Sequence, residues 1–327
     1  MKDIGLAGVA FSGKSTLFTA LTRTGGVGGR ANQAVVHVPD PRLAVLTDME
    51  HSKKTVAAQV RFVDVPGGVN SAQGMASLRE TDALAVVLRA FGPDQNPARE
   101  LAEVEADLLL ADLAVIEPAA ERATKRALRD KSVAAEAAAL EKAHTILIGE
   151  NPLRGAGLAP TEVALLRGVA PLTLKPLLIV ANLEEGTDIP VGLPDGAVGV
   201  YAAIEAETAE MPEDDARALL EEFGVDEPGL NKVIHAGYRV LDLITFLTTG
   251  EDETRAWEVR KGANAPEAAG VIHSDLERGF IRAEIIGYED LIGAGGMDAA
   301  KHKGLIRVEG KDYLVQEGDI LNVRFAV

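Results

Sequence analysis

The chain has 327 residues, 33 Lys+Arg against 50 Asp+Glu for a net charge of −17, 47% hydrophobic residues and no cysteine. This length suits two or three domains with sizeable cores, and the composition excludes a mostly disordered or collagen-like chain. The lack of cysteine excludes disulfides, a thiol nucleophile and zinc–thiolate sites, while the negative balance leaves any nucleic-acid contact to a local basic patch.

The opening residues Met1-Lys2-Asp3-Ile4-Gly5-Leu6 carry no apolar signal core, and no run approaches the roughly 20 apolar residues of a membrane span. A cytoplasmic protein with no membrane contact is expected. Ile4–Ala7 predicts a short strand, and a helical pattern begins near Lys14. Gly25–Val38, with glycines at 25, 26, 28 and 29, predicts a mobile loop. The β-rich apolar runs Val60–Val65, Ala83–Leu88 and Leu177–Val180 have the lengths of buried parallel strands in one α/β sheet. From Asn96 the texture changes: Asn96 can cap, Pro97 suits the first helical position, and Leu101, Val104, Leu108, Ala111 and Val115 recur at helical spacing. A second helix over Val133–Leu147 follows the basic residues Arg122, Lys125, Arg126, Arg129 and Lys131, which predicts a projecting antiparallel hairpin whose charges form a solvated face. After about Thr249, Phe280–Ile286 and Ile320–Val327 alternate as half-buried strands, with Leu321, Val323, Phe325 and Val327 on one face.

The strongest chemical signal is Gly8-Val9-Ala10-Phe11-Ser12-Gly13-Lys14-Ser15, which fits G-x-x-x-x-G-K-[ST] between a strand and a helix. Backbone N–H groups over Gly8, Phe11, Ser12, Gly13, Lys14, Ser15 and Thr16 would cradle phosphates, with the helix N-terminus adding positive potential. Lys14 would neutralise the β/γ-phosphates and Ser15 would ligate Mg²⁺. Asp64-Val65-Pro66-Gly67 follows an apolar strand. Taken alone this is a common loop; paired with the Lys14 loop it resembles D-x-x-G, with Asp64 holding Mg²⁺ through a water and the Gly67 N–H facing the γ-phosphate. Where GTPases carry N-K-x-D after a strand, this chain has Asn182-Leu183-Glu184-Glu185. Without the guanine-reading Asp, the triplet Asn182, Leu183 and Glu185 favours adenine. Tyr201-Ala202-Ala203-Ile204 resembles the small-residue loop that closes over the base, which adds Ala202 and Ala203 to the binding set.

These motifs, with Pro39-Asp40-Pro41-Arg42-Leu43, Arg79-Glu80-Thr81-Asp82-Ala83, Leu174-Lys175-Pro176, Glu227-Pro228-Gly229-Leu230-Asn231, Arg255-Ala256-Trp257 and Gly310-Lys311-Asp312-Tyr313, resemble the YchF-type Obg-like ATPases over nearly the whole chain. Ala268–Asp275 and Gly279–Glu284 are similar to the family's C-terminal signature. The resemblance implies an α/β P-loop nucleotidase domain with an inserted helical hairpin and a C-terminal β-grasp (TGS) domain. On this chain that means 1–95 and 172–245 for the nucleotide-binding domain, 96–171 for the hairpin and 246–327 for the TGS domain. It further implies a preference for ATP over GTP, slow hydrolysis with Mg²⁺, and association with ribosomes or ribosomal RNA; no sequence-specific DNA contact is expected.

The chain departs from the family in its switch regions. Family members carry a Thr before the Pro-Asp-Pro-Arg-Leu segment that completes the Mg²⁺ shell and reads the γ-phosphate, whereas Gly25–Val38 contains neither Thr nor Ser. The stretch after Asp64 is abbreviated, and Phe11 stands where the family places Asn. An intact phosphate cradle with incomplete switches predicts binding with weak hydrolysis, so Lys14, Asp64 and Gly67 are the candidate catalytic set. Two functions follow: a slow nucleotide-dependent switch, or a non-hydrolysing scaffold that docks partners through the TGS domain. Other chemistry lacks its signatures, since neither H-E-x-x-H nor Gly-x-Ser-x-Gly occurs. His273 beside Asp275 reads as structural, and Glu205, Glu207, Glu210, Glu213, Asp214 and Asp215 read as a solvated acidic face.

Overall fold

The computed structural model describes residues 1–23, 32–65, 67–209, 211–223, 225 and 228–326. Among the described residues there are twelve strands, β1 (Asp3–Ala7), β2 (Gln33–His37), β3 (Thr55–Val56), β4 (Gln59–Asp64), β5 (Ala83–Ala90), β6 (Leu177–Leu183), β7 (Val198–Val200), β8 (Leu243–Thr248), β9 (Thr254–Arg260), β10 (Phe280–Gly287), β11 (Arg307–Glu309) and β12 (Asp319–Phe325). They form two six-stranded sheets, in the orders β2-β4-β1-β5-β6-β7 and β11-β10-β12-β8-β9-β3.

In the first sheet β1 pairs in parallel with β4 and β5, β5 with β6, and β6 with β7. The near-continuous apolar runs explain this: seven of the eight residues of β5 are buried, as a strand covered on both faces requires. Parallel strands all end on the same edge of a sheet, so the loops after β1, β4, β5 and β6 gather there. The expected loop over Gly25–Val38 divides: Gln33–His37 is a strand with Ala34 and Val36 buried, and residues 25–31 lie outside the described residues. Gly-rich sequence hid this strand because only five residues carry its alternation.

The helix Pro97–Ala127 runs 31 residues, about 46 Å at ~1.5 Å per residue. Asn96 caps it by accepting the Arg99 N–H at 3.0 Å, with Pro97 at the first turn. Leu101, Val104 and Leu108 are buried as expected, but the stripe then continues through Asp112 and Ile116 rather than Ala111 and Val115. The inner face packs with Val65, Val69 and Leu78 into the core under the sheet. The returning helix Ala134–Ile148 completes the hairpin, with Ile116, Ala120 and Ala123 packed against Ala137, Leu140, Ala143 and Leu147. Arg122, Lys125, Arg126, Arg129 and Lys131 are all exposed, as a solvated face requires.

In the second sheet β8–β9 and β10–β12 are antiparallel pairs joined by parallel β12–β8, with the helix Ala265–Ile272 sharing their apolar core. This is a β-grasp arrangement. By contacts the chain divides into two compact units, one of Lys2–Val36 and Arg61–Gly237, the other of Met1, His37–Val60 and Tyr238–Val327. That grouping places residues 37–60 with the C-terminal sheet, unlike the expected 1–95 block. The physical reason is visible: β3 pairs in parallel with β9, and Arg42, held by Asp40 at 2.8 Å, donates to Glu317 at 2.6 Å. The Pro39–Leu43 motif is therefore a structural anchor, with Asp40 also capping the helix Pro41–Glu50.

Candidate functional site

The phosphate-loop residues lie between β1 and the helix Lys14–Arg23. Gly8 and Gly13 hold φ of 140° and 91°, where a side chain would be strained. A Cβ on Gly13 would also overlap the Asn182 amide, so close approach as well as φ demands glycine there. Phe11 takes φ 63° and is 89% exposed at the loop's tip. Ser12 is fully buried and its Oγ finds no hydrogen-bond partner among the described residues, whereas Ser15 and Thr16 are exposed. Lys14 Nζ donates to the carbonyls of Gly8 at 3.0 Å and Val9 at 2.6 Å. Burial pushes its ammonium below the usual lysine range, opposed by the charges of Asp64 and Glu100.

Asp64 ends β4, half-buried; burial raises its carboxyl and Lys14 draws it back. The two residues are thus electrostatic neighbours, as the pairing of the motifs anticipated. Gly67 and Gly68 both take positive φ. A Cβ on Gly67 would strike Ser71, whereas one on Gly68 would lie 3.8 Å from Lys14 Cε and 3.7 Å from the Gly8 carbonyl. The residue that approaches the phosphate loop is therefore Gly68, one beyond the residue the D-x-x-G pattern singles out. Glu100, also unmarked by any motif, accepts the Arg89 N–H at 2.8 Å from the first turn of the long helix and adds a second negative charge near Lys14.

On the other side of the loop a cavity of about 630 Å³ is lined by Gly13, Thr16, Phe91, Gly92, Asn182 to Glu185, Tyr201, Ala203 and Ile204. Four segments distant in sequence meet there because β1, β5, β6 and β7 are successive neighbours in the sheet. Phe91 and Gly92 belong to no motif; only their place just after β5, which pairs with β6 through Ala90↔Leu183, could have marked them. Asn182 is spent within the protein: its Nδ2 donates to the Ser12 carbonyl at 3.2 Å and its Oδ1 accepts the Ala202 N–H at 3.3 Å. It ties the phosphate loop to the first turn of the helix Ala202–Thr208, which stands where a base-closing loop was expected, with Ala202 fully buried and Ala203 on the cavity. Leu183 is mostly buried with Ala90, Ala181, Leu193 and Tyr201, while Glu185 is exposed on the cavity's rim.

Of the six acids expected to form a solvated face, Glu207 and Asp215 are exposed, Glu210 lies outside the described residues, and Glu205 departs from the expectation. Glu205 is 2% exposed, and its carboxylate accepts the N–H groups of Leu230 at 2.7 Å, Gly229 at 3.0 Å and Tyr201 at 3.3 Å. Burial raises its carboxyl and the three amides oppose that. His273 instead fits the structural reading, its Nδ1 accepting the Asp275 N–H at 3.1 Å as a helix cap. Among the described residues no helix is long and apolar enough to cross a membrane.

Comparison with known proteins agrees with this geometry. Residues 243–326 match the family model YchF-GTPase_C, described as a protein of unknown function (DUF933). A Haemophilus ducreyi protein named ribosome-binding ATPase YchF is 40% identical over 358 aligned positions, covering 99% of both chains. Its Bacillus subtilis namesake is 37% identical over 361 positions, again covering 99% of both. The 358 positions exceed the 327 residues here, so at least 31 of them are gaps in this chain. The solved structure titled as the Schizosaccharomyces pombe YchF GTPase superposes with a TM-score of 0.89 at 28% identity, over 99% of this chain and 97% of that one. With relatives of this identity matched from end to end, the chain belongs to the YchF family.

Proposed function

We propose that the chain binds ATP, with GTP weaker, at the Gly8–Thr16 loop and acts as a slow nucleotide-dependent switch on the ribosome. The observation that carries this is the placement of Lys14 against the Gly8 and Val9 carbonyls beside a cavity wide enough for a nucleoside. Relatives named for ribosome binding and ATPase activity support the choice of partner. In this reading the loop amides orient the triphosphate, Lys14 neutralises it, and Gly68 lets the segment after Asp64 close on the γ-phosphate. The donors near it, the exposed Ser15 hydroxyl and the Asp64 carboxylate, are hard oxygen ligands that suit Mg²⁺ completed by water and phosphate. When bound, Mg²⁺ would spread the charge developing on the phosphate oxygens.

Base choice should be set by Leu183 and Glu185 on a frame held by Asn182. Replacing Glu185 with Asp restores half of the guanine-reading pattern without burying a lysine at position 183, and should move the ATP:GTP affinity ratio severalfold toward GTP. Titration of both nucleotides by calorimetry measures this; an unchanged ratio would show that Glu185 does not face the base.

Turnover by the isolated protein should be very slow. Gly25–Val38 supplies no Thr or Ser to complete a metal shell, and Gly68 carries no side chain to position water. Single-turnover phosphate release from Mg²⁺-ATP tests it: a rate near the roughly 10 s⁻¹ of a median enzyme would overturn the reading of incomplete switches. No release at all favours the second reading, a nucleotide-binding scaffold, to which the same missing residues point.

A further inference from the structure

We propose that Glu205 is a positioning residue for the base side of the nucleotide site, fastening the Tyr201–Ala203 turn to the start of the helix Gly229–Val240. This rests on the nucleotide-binding reading above and adds a residue that it does not use. A carboxylate 2% exposed has lost its hydration, a cost that persists only where fixed donors offset it. Here the donors are three backbone amides. Two, Gly229 and Leu230, are first-turn N–H groups that no helical carbonyl can reach, where the helix dipole also favours an anion. The third belongs to Tyr201, which lines the cavity.

The carboxylate is thus one link in a chain of bonds around the cavity. Asn182 joins the Ser12 carbonyl to the Ala202 amide, Tyr201 Oη donates to the Thr187 carbonyl at 2.9 Å, and Glu205 joins the Tyr201 amide to the helix. One end of the cavity wall hangs from the phosphate loop and the other from a helix N-terminus. Gly229 fits the same account: a Cβ there would lie 2.6 Å from Glu205 Oε1 and 2.9 Å from the Gly199 carbonyl, so only glycine lets the carboxylate reach the helix. Loss of this link should free the turn that meets the nucleoside and leave the phosphate cradle untouched.

The test compares two probes on the intact protein, Mg²⁺-ATP and inorganic tripolyphosphate, by calorimetry. Glu205→Gln turns an acceptor into a donor facing an amide, and should weaken ATP about tenfold while tripolyphosphate stays within about twofold. Glu205→Asp, which keeps the carboxylate but shortens its reach to the Gly229 and Leu230 amides, should reproduce that selective loss and stands in if the first variant does not fold. Equal weakening of both probes would make Glu205 a general structural residue and overturn the proposal, as would ATP affinity unchanged in either variant. A parent protein that binds neither probe would overturn the nucleotide-site reading itself, a result distinct from the others, and would take this role with it.

Discussion

Replacing Lys14 with Ala should weaken ATP binding roughly ten- to hundredfold, the loss of a charge-assisted phosphate contact worth about 1.5 to 3 kcal/mol. An ammonium has three donors, and two of those on Lys14 are held by the Gly8 and Val9 carbonyls. The geometry leaves one directed donor and the full charge for a phosphate. Desolvation strengthens that charge's interaction with an anion while removing hydration from the ammonium, which is why its pKa falls. The variant loses the charge together with the two bonds to the Gly8 and Val9 carbonyls, while glycine at positions 8 and 13 still permits the loop's positive φ. Thermal stability should change little while the dissociation constant rises. A dissociation constant for ATP equal to the parent's would remove the phosphate loop from the nucleotide assignment.

How much of this site could be read in advance depended on whether backbone or side-chain partners choose the residue. Gly8, Gly13 and Lys14 were legible because the phosphate cradle constrains backbone conformation and charge at fixed spacing. Leu101, Val104 and Leu108 were legible because burial and helical period coincide. Pattern reasoning then preferred Ala111 and Val115, being apolar, to Asp112, which is fully buried because partners far along the chain satisfy it. Glu205 failed in the same way: six acids close together look solvated until Gly229 and Leu230 come within reach. Phe91 and Gly92 face the cavity only because β5 lies between β1 and β6, an arrangement set by the sheet and by no local signal. The second sheet shows the same limit, since nothing in Thr55-Val56 announces pairing with Thr254 and Arg255.

The largest stability effect should come from Asp112→Ala. Oδ1 of Asp112 accepts from Arg79 at 2.7 Å and from the Leu172 amide at 2.9 Å, and Oδ2 accepts the amide and the hydroxyl of Thr173, each at 2.7 Å. Arg79 in turn donates to the carbonyls of Ala111 at 2.8 Å and Ala170 at 2.9 Å, so it cannot swing out to water without breaking further bonds. Removing the carboxylate leaves a largely buried guanidinium, two amides and a hydroxyl without their acceptor, a loss of about 3 to 5 kcal/mol. At roughly 2 to 4 °C per kcal/mol for a chain of this order, the melting temperature should fall by about 6 to 20 °C. Replacing both partners, Asp112→Leu with Arg79→Met, should cost less than the sum of the two single changes, because no buried charge is then stranded. That non-additivity separates the ion pair from simple packing. A single-variant loss below about 1 kcal/mol by urea unfolding would mean that water reaches Arg79, and that the junction of the helix Ala72–Arg79 with the long helix is looser than these bonds require.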